Sequence, residues 1–271
     1  MKTRIISGVV MAAILAAVII GGGYFPVIIT AVLALLNLTA SYELLHNAAG
    51  IKSRAALAGA AVYSALAVFF ICGYSINLFG IKLGFTELTV IYGIFSACVT
   101  LYNHKDFTVK EITSLMGTPI VLSYAFGCLE SALNHSDGIY YLLLLLNFSS
   151  VCDMGAYFVG SALGKHKLCP QISPKKTVEG AVGGIVSSLV VTVVLALCFG
   201  FSSRIPVTLL LTVPFCVLGM VGDLFASAIK RGAGIKDYGN LIPGHGGILD
   251  RFDSILMIAP LLNIFIRAGI V

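Results

Sequence analysis

Apolar residues run in long blocks along this chain, separated by short polar stretches. A helix that crosses a bilayer needs about 20 mainly apolar residues. Nine blocks meet that need and predict helices at about 5–21, 24–45, 55–79, 84–103, 112–133, 138–163, 177–200, 206–229 and 250–269. The fifth is the most interrupted, by Thr113, Ser114, Pro119 and Glu130. Met1-Lys2-Thr3-Arg4 before an apolar run has the look of a signal peptide. The run is long, however, no small-x-small cleavage site ends it, and another apolar span follows, so an uncleaved membrane helix is expected. The predicted fold is all-α, a polytopic membrane helix bundle of about nine transmembrane helices. It reads as one continuous membrane domain, with N-terminal membrane helices at 1–135 and catalytic helices with cytoplasmic loops at 136–271.

Composition agrees. Of 271 residues, 58% are hydrophobic and 11% charged, against about 45–50% and about 25% in soluble domains; the mean hydropathy is +1.01. These values exclude an ordinary soluble enzyme, a disordered chain, a secreted disulfide scaffold and a nucleic-acid-binding module. The net charge of +5 does not suggest a nucleic-acid partner, because basic residues scattered among apolar spans form no continuous basic face. Six of the seven cysteines lie in apolar stretches, where cysteine serves as a small hydrophobe.

The charges instead give an orientation. With the N-terminus inside, only Lys82, Arg204 and Arg267 of the 17 basic residues fall outside. Positive residues gather on cytoplasmic loops, so the expectation is a multi-pass cell-membrane protein with its N-terminus in, its C-terminus out and its polar loops cytoplasmic. The longest polar segments, 164–176 and 230–249, are both on the inside. Glu43 falls near the inside end of an early span, within reach of solvent or headgroups. The first four spans otherwise hold packing residues.

Acidic residues in apolar spans carry the candidate chemistry. A carboxylate at mid-membrane costs about 2.5–3.5 kcal/mol even on lenient scales. Asp153 and Asp223 lie inside spans, and Asp250 and Asp253 open the last one, three residues apart and so on one helical face. Internal salt bridges, or acidic complementarity to a helix N-terminus, are the structural alternatives to an ion site. The preceding loop, 230–249, holds Lys230, Arg231 and Lys236, six glycines and His245. Glycines allow close backbone approach, and successive amides can cradle an anion. Lysine and arginine neutralise phosphate, and carboxylates beside phosphate binders suggest Mg²⁺. His245 is equally suited to holding the loop and to moving protons. Ser173-Pro174-Lys175-Lys176-Thr177 reads as a helix start with a cap, with Lys175 or Lys176 facing phosphate as the functional alternative. Together these residues indicate phosphoryl or nucleotidyl chemistry on a phosphorylated substrate at the membrane face.

The stretch Ser227-Ala228-Ile229-Lys230-Arg231, then Lys236-Asp237, then Gly239 through Pro243-Gly244-His245-Gly246-Gly247-Ile248-Leu249-Asp250-Arg251-Phe252-Asp253 resembles the signature of phosphatidate cytidylyltransferases, the CDP-diacylglycerol synthases. Asp153-Met154-Gly155-Ala156-Tyr157-Phe158, Gly164-Lys165-His166-Lys167 and Ser173 through Gly180 are similar to further motifs of that family. The resemblance covers about 147–257. It implies a membrane enzyme that converts CTP and phosphatidate to CDP-diacylglycerol and diphosphate in phospholipid synthesis, with Mg²⁺ and room for a second cation such as K⁺. It implies Asp223, Asp250 and Asp253 as metal ligands. Lys230, Arg231, Lys236 and His245 join them in the catalytic set. Asp153, Ser173, Lys175, Lys176, Thr177, Gly246, Gly247 and Arg251 are the expected substrate-binding residues. Partners would be CTP, phosphatidate and membrane lipid, with a homodimer admissible. A CTP-dependent polyprenol or phytol kinase and a CDP-archaeol synthase are the nearest alternative enzymes. A transporter also places aspartates and glycine-broken helices in the membrane, but it would not mass charged loops on one face.

Overall fold

The computed structural model describes residues 2–78 and 81–271, with side chains excluded at 2–5, 78 and 81. The helices are α1 (Lys2–Tyr24), α2 (Val27–Tyr42), α3 (Arg54–Ile71), α4 (Phe85–Tyr102), α5 (Val109–Leu133), α6 (Gly138–Leu146), α7 (Cys152–Leu163), α8 (Val178–Cys198), α9 (Ile205–Gly232) and α10 (Leu249–Arg267). A π turn, Glu43–Ala48, continues α2, and another, Asn147–Val151, joins α6 to α7. Eight of these spans are long and apolar enough to cross a membrane, α6 through α7 counting as one. The fold is therefore an all-α polytopic membrane bundle. The ninth predicted span is a helix in its predicted place, α10. With Asp250, Arg251, Asp253 and Arg267 it is not among the eight.

Two departures from the sequence reading have local causes. The third span was expected to reach residue 79, which lies outside the described residues, but α3 stops at Ile71. Gly73 follows at φ +92°, a left-handed conformation that only glycine enters freely. The apolar run then becomes a hairpin, β1 (Ile76–Leu78) against β2 (Ile81–Leu83). The second departure is at Ser173–Thr177, expected to begin a helix. It forms strand β4, antiparallel to β3 (Lys167–Cys169), with Lys167 opposite Thr177 and Cys169 opposite Ser173. Only Thr177 acts as the helix cap, its Oγ1 accepting the Gly180 amide at 3.1 Å.

The chain divides into two compact units. The first comprises residues up to Asn134 together with Ala233–Arg251; the second comprises His135–Gly232 and Phe252–Val271.

In the first unit, small residues let α2, α3 and α5 approach closely. Ala56, Ala60, Ala67, Tyr63, Tyr92 and Leu115 form its buried core, with the Tyr63 and Tyr92 rings stacked at 4.4 Å. Asn37 ties three helices by donating to Ser64 O and Ser123 Oγ, both at 2.8 Å. The most interrupted span is a continuous helix. Thr108 and Glu111 close a capping box at its start. Pro119 cannot donate to the carbonyl four residues back, and that carbonyl, Leu115 O, accepts instead from Tyr92 Oη at 2.6 Å.

In the second unit, α7 and α8 are joined through glycines. A Cβ on Gly184 would lie 2.5 Å from Cys152 O, and one on Gly180 would lie 2.7 Å from Ala156 O. The π turn at Asn147 sets the entry to α7. The Asn147 amide donates to Ser188 O and Thr192 Oγ1 at 3.1 and 2.9 Å. The stacked Phe148 and Phe215 rings, 5.1 Å apart, pack the turn against α9.

Candidate active site

The second unit gathers four of the predicted residues. Asp153 is in the first turn of α7, Lys176 is on β4, Asp223 is on α9 and Asp253 is on α10. Lys176 Nζ forms an ion pair with Asp223 Oδ2, the two side chains being 24% and 28% exposed. Side chains alternate across a strand, so Lys175 points the other way and is exposed while Lys176 turns inward. Gly222 brings α9 and α10 together, since a Cβ there would lie 2.9 Å from Asp253 O and 3.2 Å from Ser254 Cα. That close approach places the neighbouring Asp223 beside Asp253, whose Oδ1 accepts the Ser254 amide at 2.7 Å. The charge of Asp223 acts on both Asp153 and Asp253, that of Lys176 on Asp153, and that of Lys230 on Asp253. Lys230 is buried and Arg231 exposed, both at the end of α9.

Three carboxylates face two ammonium groups in this cluster. The carboxylate donors are all hard oxygens. Among the described residues, no three His, Cys, Asp or Glu side chains stand close enough to ligate one ion. Such a donor set fits Mg²⁺, which takes one or two carboxylates and completes its shell with water and substrate phosphates.

Residues 233–251 of the signature belong to the first unit. Asp250 is buried, and its Oδ2 accepts the amides of Tyr238 at 2.8 Å and Gly247 at 3.0 Å. The loop between them turns tightly through an Ile242–Gly246 bridge, with Gly244 and Gly246 at φ +78° and +85°. The amide of Gly247 is thus committed to a carboxylate rather than open to an anion. His245 holds the loop: its Nδ1 is 2.8 Å from Ser7 Oγ of α1. Lys236 and Arg251 are exposed. A polar cleft of about 520 Å³ lies beside this loop, lined by His46, Lys52, Asp237 and Asn240 among others.

Glu43 corrects the sequence reading. It is 4% exposed, and its carboxylate accepts the amides of Ile248 and Leu249 at 3.0 and 2.9 Å. Nothing local in sequence marks this role, because the partners are backbone groups about two hundred positions away. The one usable signal was an acid inside an apolar block. Glu179, also unassigned, organises the basic loop of this second unit. It accepts the Lys165 and His166 amides at 3.1 and 3.2 Å, and it meets His166 Nδ1 at 2.6 Å.

The profile of the Cytidylyltransferase family matches residues 2–268. The phosphatidate cytidylyltransferase of Staphylococcus haemolyticus (strain JCSC1435) is 47% identical over 131 residues, 48% of this chain and 50% of the relative. That of Staphylococcus aureus (strain COL) is 44% identical over 131 residues, with the same shares. The chain spans about half the length of the curated relatives it matches.

Proposed function

The chain belongs to the cytidylyltransferase family, and we propose that it is a phosphatidate cytidylyltransferase, converting CTP and phosphatidate to CDP-diacylglycerol and diphosphate. The observation that carries this reading is the cluster of Asp153, Asp223 and Asp253 on three helices with Lys176 of β4, in a family member. The names of the relatives supply the substrates.

The reaction suits a site without a protein nucleophile. The phosphate of phosphatidate has a second pKa of about 6 and is a dianion at neutral pH. One of its oxygens forms a bond to the α-phosphorus of CTP, and the bond from that phosphorus to the bridging oxygen of the β-phosphate breaks in line. Diphosphate leaves with the electron pair, and no proton need be moved. The protein's task is to position two polyanions and offset their charge.

Asp223, Asp250 and Asp253 are the proposed metal ligands, Mg²⁺ among the ions they would hold, with no three of the described acids serving the same ion. The orientation of Asp250 is set by the Tyr238 and Gly247 amides, as supporting hydrogen bonds orient metal ligands elsewhere. The ion, when bound, supplies Lewis-acid neutralisation of the phosphate oxygens. A second cation such as K⁺ belongs to the same proposal. Lys176 holds Asp223 in place and meets phosphate on the same face. Lys230 serves Asp253 in that way, while Lys175, Arg231, Lys236 and Arg251 offer exposed cations to the triphosphate or the headgroup. Ser173 and Thr177 belong to the strand that presents Lys176, with Asp153 within reach of its charge, while Gly246 and Gly247 shape the loop that anchors Asp250. The site faces the cytoplasm of a cell-membrane protein whose N-terminus is inside and C-terminus outside.

The test is diphosphate release by purified protein in detergent with CTP, phosphatidate and Mg²⁺. Release that depends on phosphatidate is expected. A folded protein that shows none overturns the reading.

A further inference from the structure

Glu43 opens the π turn that ends α2, and π turns are uncommon and concentrate at functional sites. Its two oxygens take the amides of Ile248 and Leu249 at the start of α10. A Cβ on Gly239 or on Gly247 would lie 2.5 Å from Glu43 Oε1, so both glycines make room for this carboxylate. Asn47, from the same turn, donates to Tyr238 O at 2.5 Å. Asp250 takes the amides of Tyr238 and Gly247. Two carboxylates and one amide therefore clamp both ends of the loop that carries Lys236 and His245.

A local serine, threonine or asparagine suffices to cap a helix. This chain instead brings a full negative charge from a distant apolar helix to the positive end of α10, and it buries that charge. The cost of burial is justified if the loop must hold one arrangement rather than merely fold. We propose that Glu43 is a positioning residue: its charge fixes the signature loop, and with it Asp250 and Lys236, without touching substrate. The proposal rests on the function proposed above.

Glu43→Gln keeps the shape and removes the charge, while Glu43→Asp keeps the charge on a shorter arm. Three quantities are read on the purified full chain: hydrogen exchange of the amides at 238–250, the thermal midpoint, and kcat with KM for phosphatidate. For Glu43→Gln the expectation is exchange at Ile248 and Leu249 at least tenfold faster and kcat at least tenfold lower. KM for phosphatidate stays within twofold, and the thermal midpoint stays near that of the parent protein. Glu43→Asp should recover part of the lost kcat. Parental exchange or parental kcat in Glu43→Gln overturns the proposal, as does a loss shared in full by Glu43→Asp. Should Glu43→Gln fail to fold, Gly239→Ala pushes a methyl against the same carboxylate without changing its charge. It must then speed exchange at 248–249 and lower kcat, and no change in either refutes the role. If the parent protein releases no diphosphate, the functional reading falls, while the exchange measurement still judges the clamp.

Discussion

Glu130 and Asp223 are both acids on membrane-type helices, one in each unit, and their surroundings differ in kind. Glu130 is 3% exposed, and its Oε1 accepts from Thr30 Oγ1 and Asn134 Nδ2, both at 2.6 Å. Those named donors are neutral. Asp223 is 28% exposed at its side chain, faces the Lys176 ammonium and feels the charges of Asp153 and Asp253. Neutral hydrogen bonds satisfy a carboxylate and leave it inert, which makes Glu130 a tie between helices. A counter-charge, like-charged neighbours and partial access make a carboxylate exchangeable, so the surroundings of Asp223 suit the proposed exchange of its ammonium partner for a metal ion. Burial of an acid in an apolar span therefore does not identify a functional site; the charge of its partners does.

The comparison breaks most plainly at Asp223. Asp223→Asn retains size and a hydrogen-bonding oxygen but lacks the charge needed for Mg²⁺. Turnover should fall by about a thousandfold, on the order of 4 kcal/mol of transition-state stabilisation, with the helical circular-dichroism signal kept. Diphosphate release per folded molecule measures this, and substantial residual turnover with an unchanged Mg²⁺ requirement would make Asp223 as structural as Glu130. Lys176→Met tests the other half of the pair. In the proposed site its ammonium would both compete with a divalent ion for Asp223 and face phosphate. Turnover should drop by about 10–100-fold, equivalent to about 1.4–2.7 kcal/mol, while the Mg²⁺ concentration for half-maximal rate falls. An unchanged Mg²⁺ titration would show that the ammonium and the ion do not share the carboxylate.

The parts of this molecule that follow from periodic apolar blocks were legible in its sequence, and the parts built by distant backbone groups were not. Block lengths placed the helices, Thr177 announced the start of α8, and Asp153, Lys176, Asp223 and Asp253 were all candidates before their meeting was seen. Lys175 and Lys176 stayed indistinguishable until the strand separated their faces. The hairpin after Ile71 was missed because an apolar run reads alike as helix end or strand, although Gly73 was a usable breaker. Neither π turn has a pattern of its own. Glu43 was set aside as an interfacial acid because amides, its partners, belong to every residue and leave no mark in a sequence.

Glu130→Gln is the counterpart of Asp223→Asn. A glutamine keeps one acceptor oxygen for Thr30 and Asn134 but brings an amide group into a site shaped for a carboxylate. Hydrogen bonds to charged groups contribute about 1.5–3 kcal/mol, so a stability loss of about 1–2 kcal/mol is expected, seen as a lower thermal midpoint. Turnover per folded molecule should stay within twofold. A loss of turnover without a loss of stability would mean that neutral surroundings do not render an acid inert, and the distinction drawn between the two sites would fail.

The smallest effect is expected at Lys52. It is exposed, it lines the polar cleft beside the signature loop together with Asp237 and Asn240, and no ion pair with it is found among the described residues. A solvated ammonium at such a place gains little from its neighbours, because exposed ion pairs contribute about 0–1 kcal/mol. Lys52→Ala should therefore change kcat and KM for CTP by less than twofold, with an unaltered thermal midpoint. The cleft makes the measurement informative. If the cleft surface around Lys52 has no part in binding, removing its exposed cation leaves the rate untouched. If instead KM for CTP rises by tenfold while kcat holds, the cleft takes part in nucleotide binding. Exchangeable charge chemistry would then extend to the cleft, and a partner's charge would mark function on a flexible surface side chain as well as on a buried one.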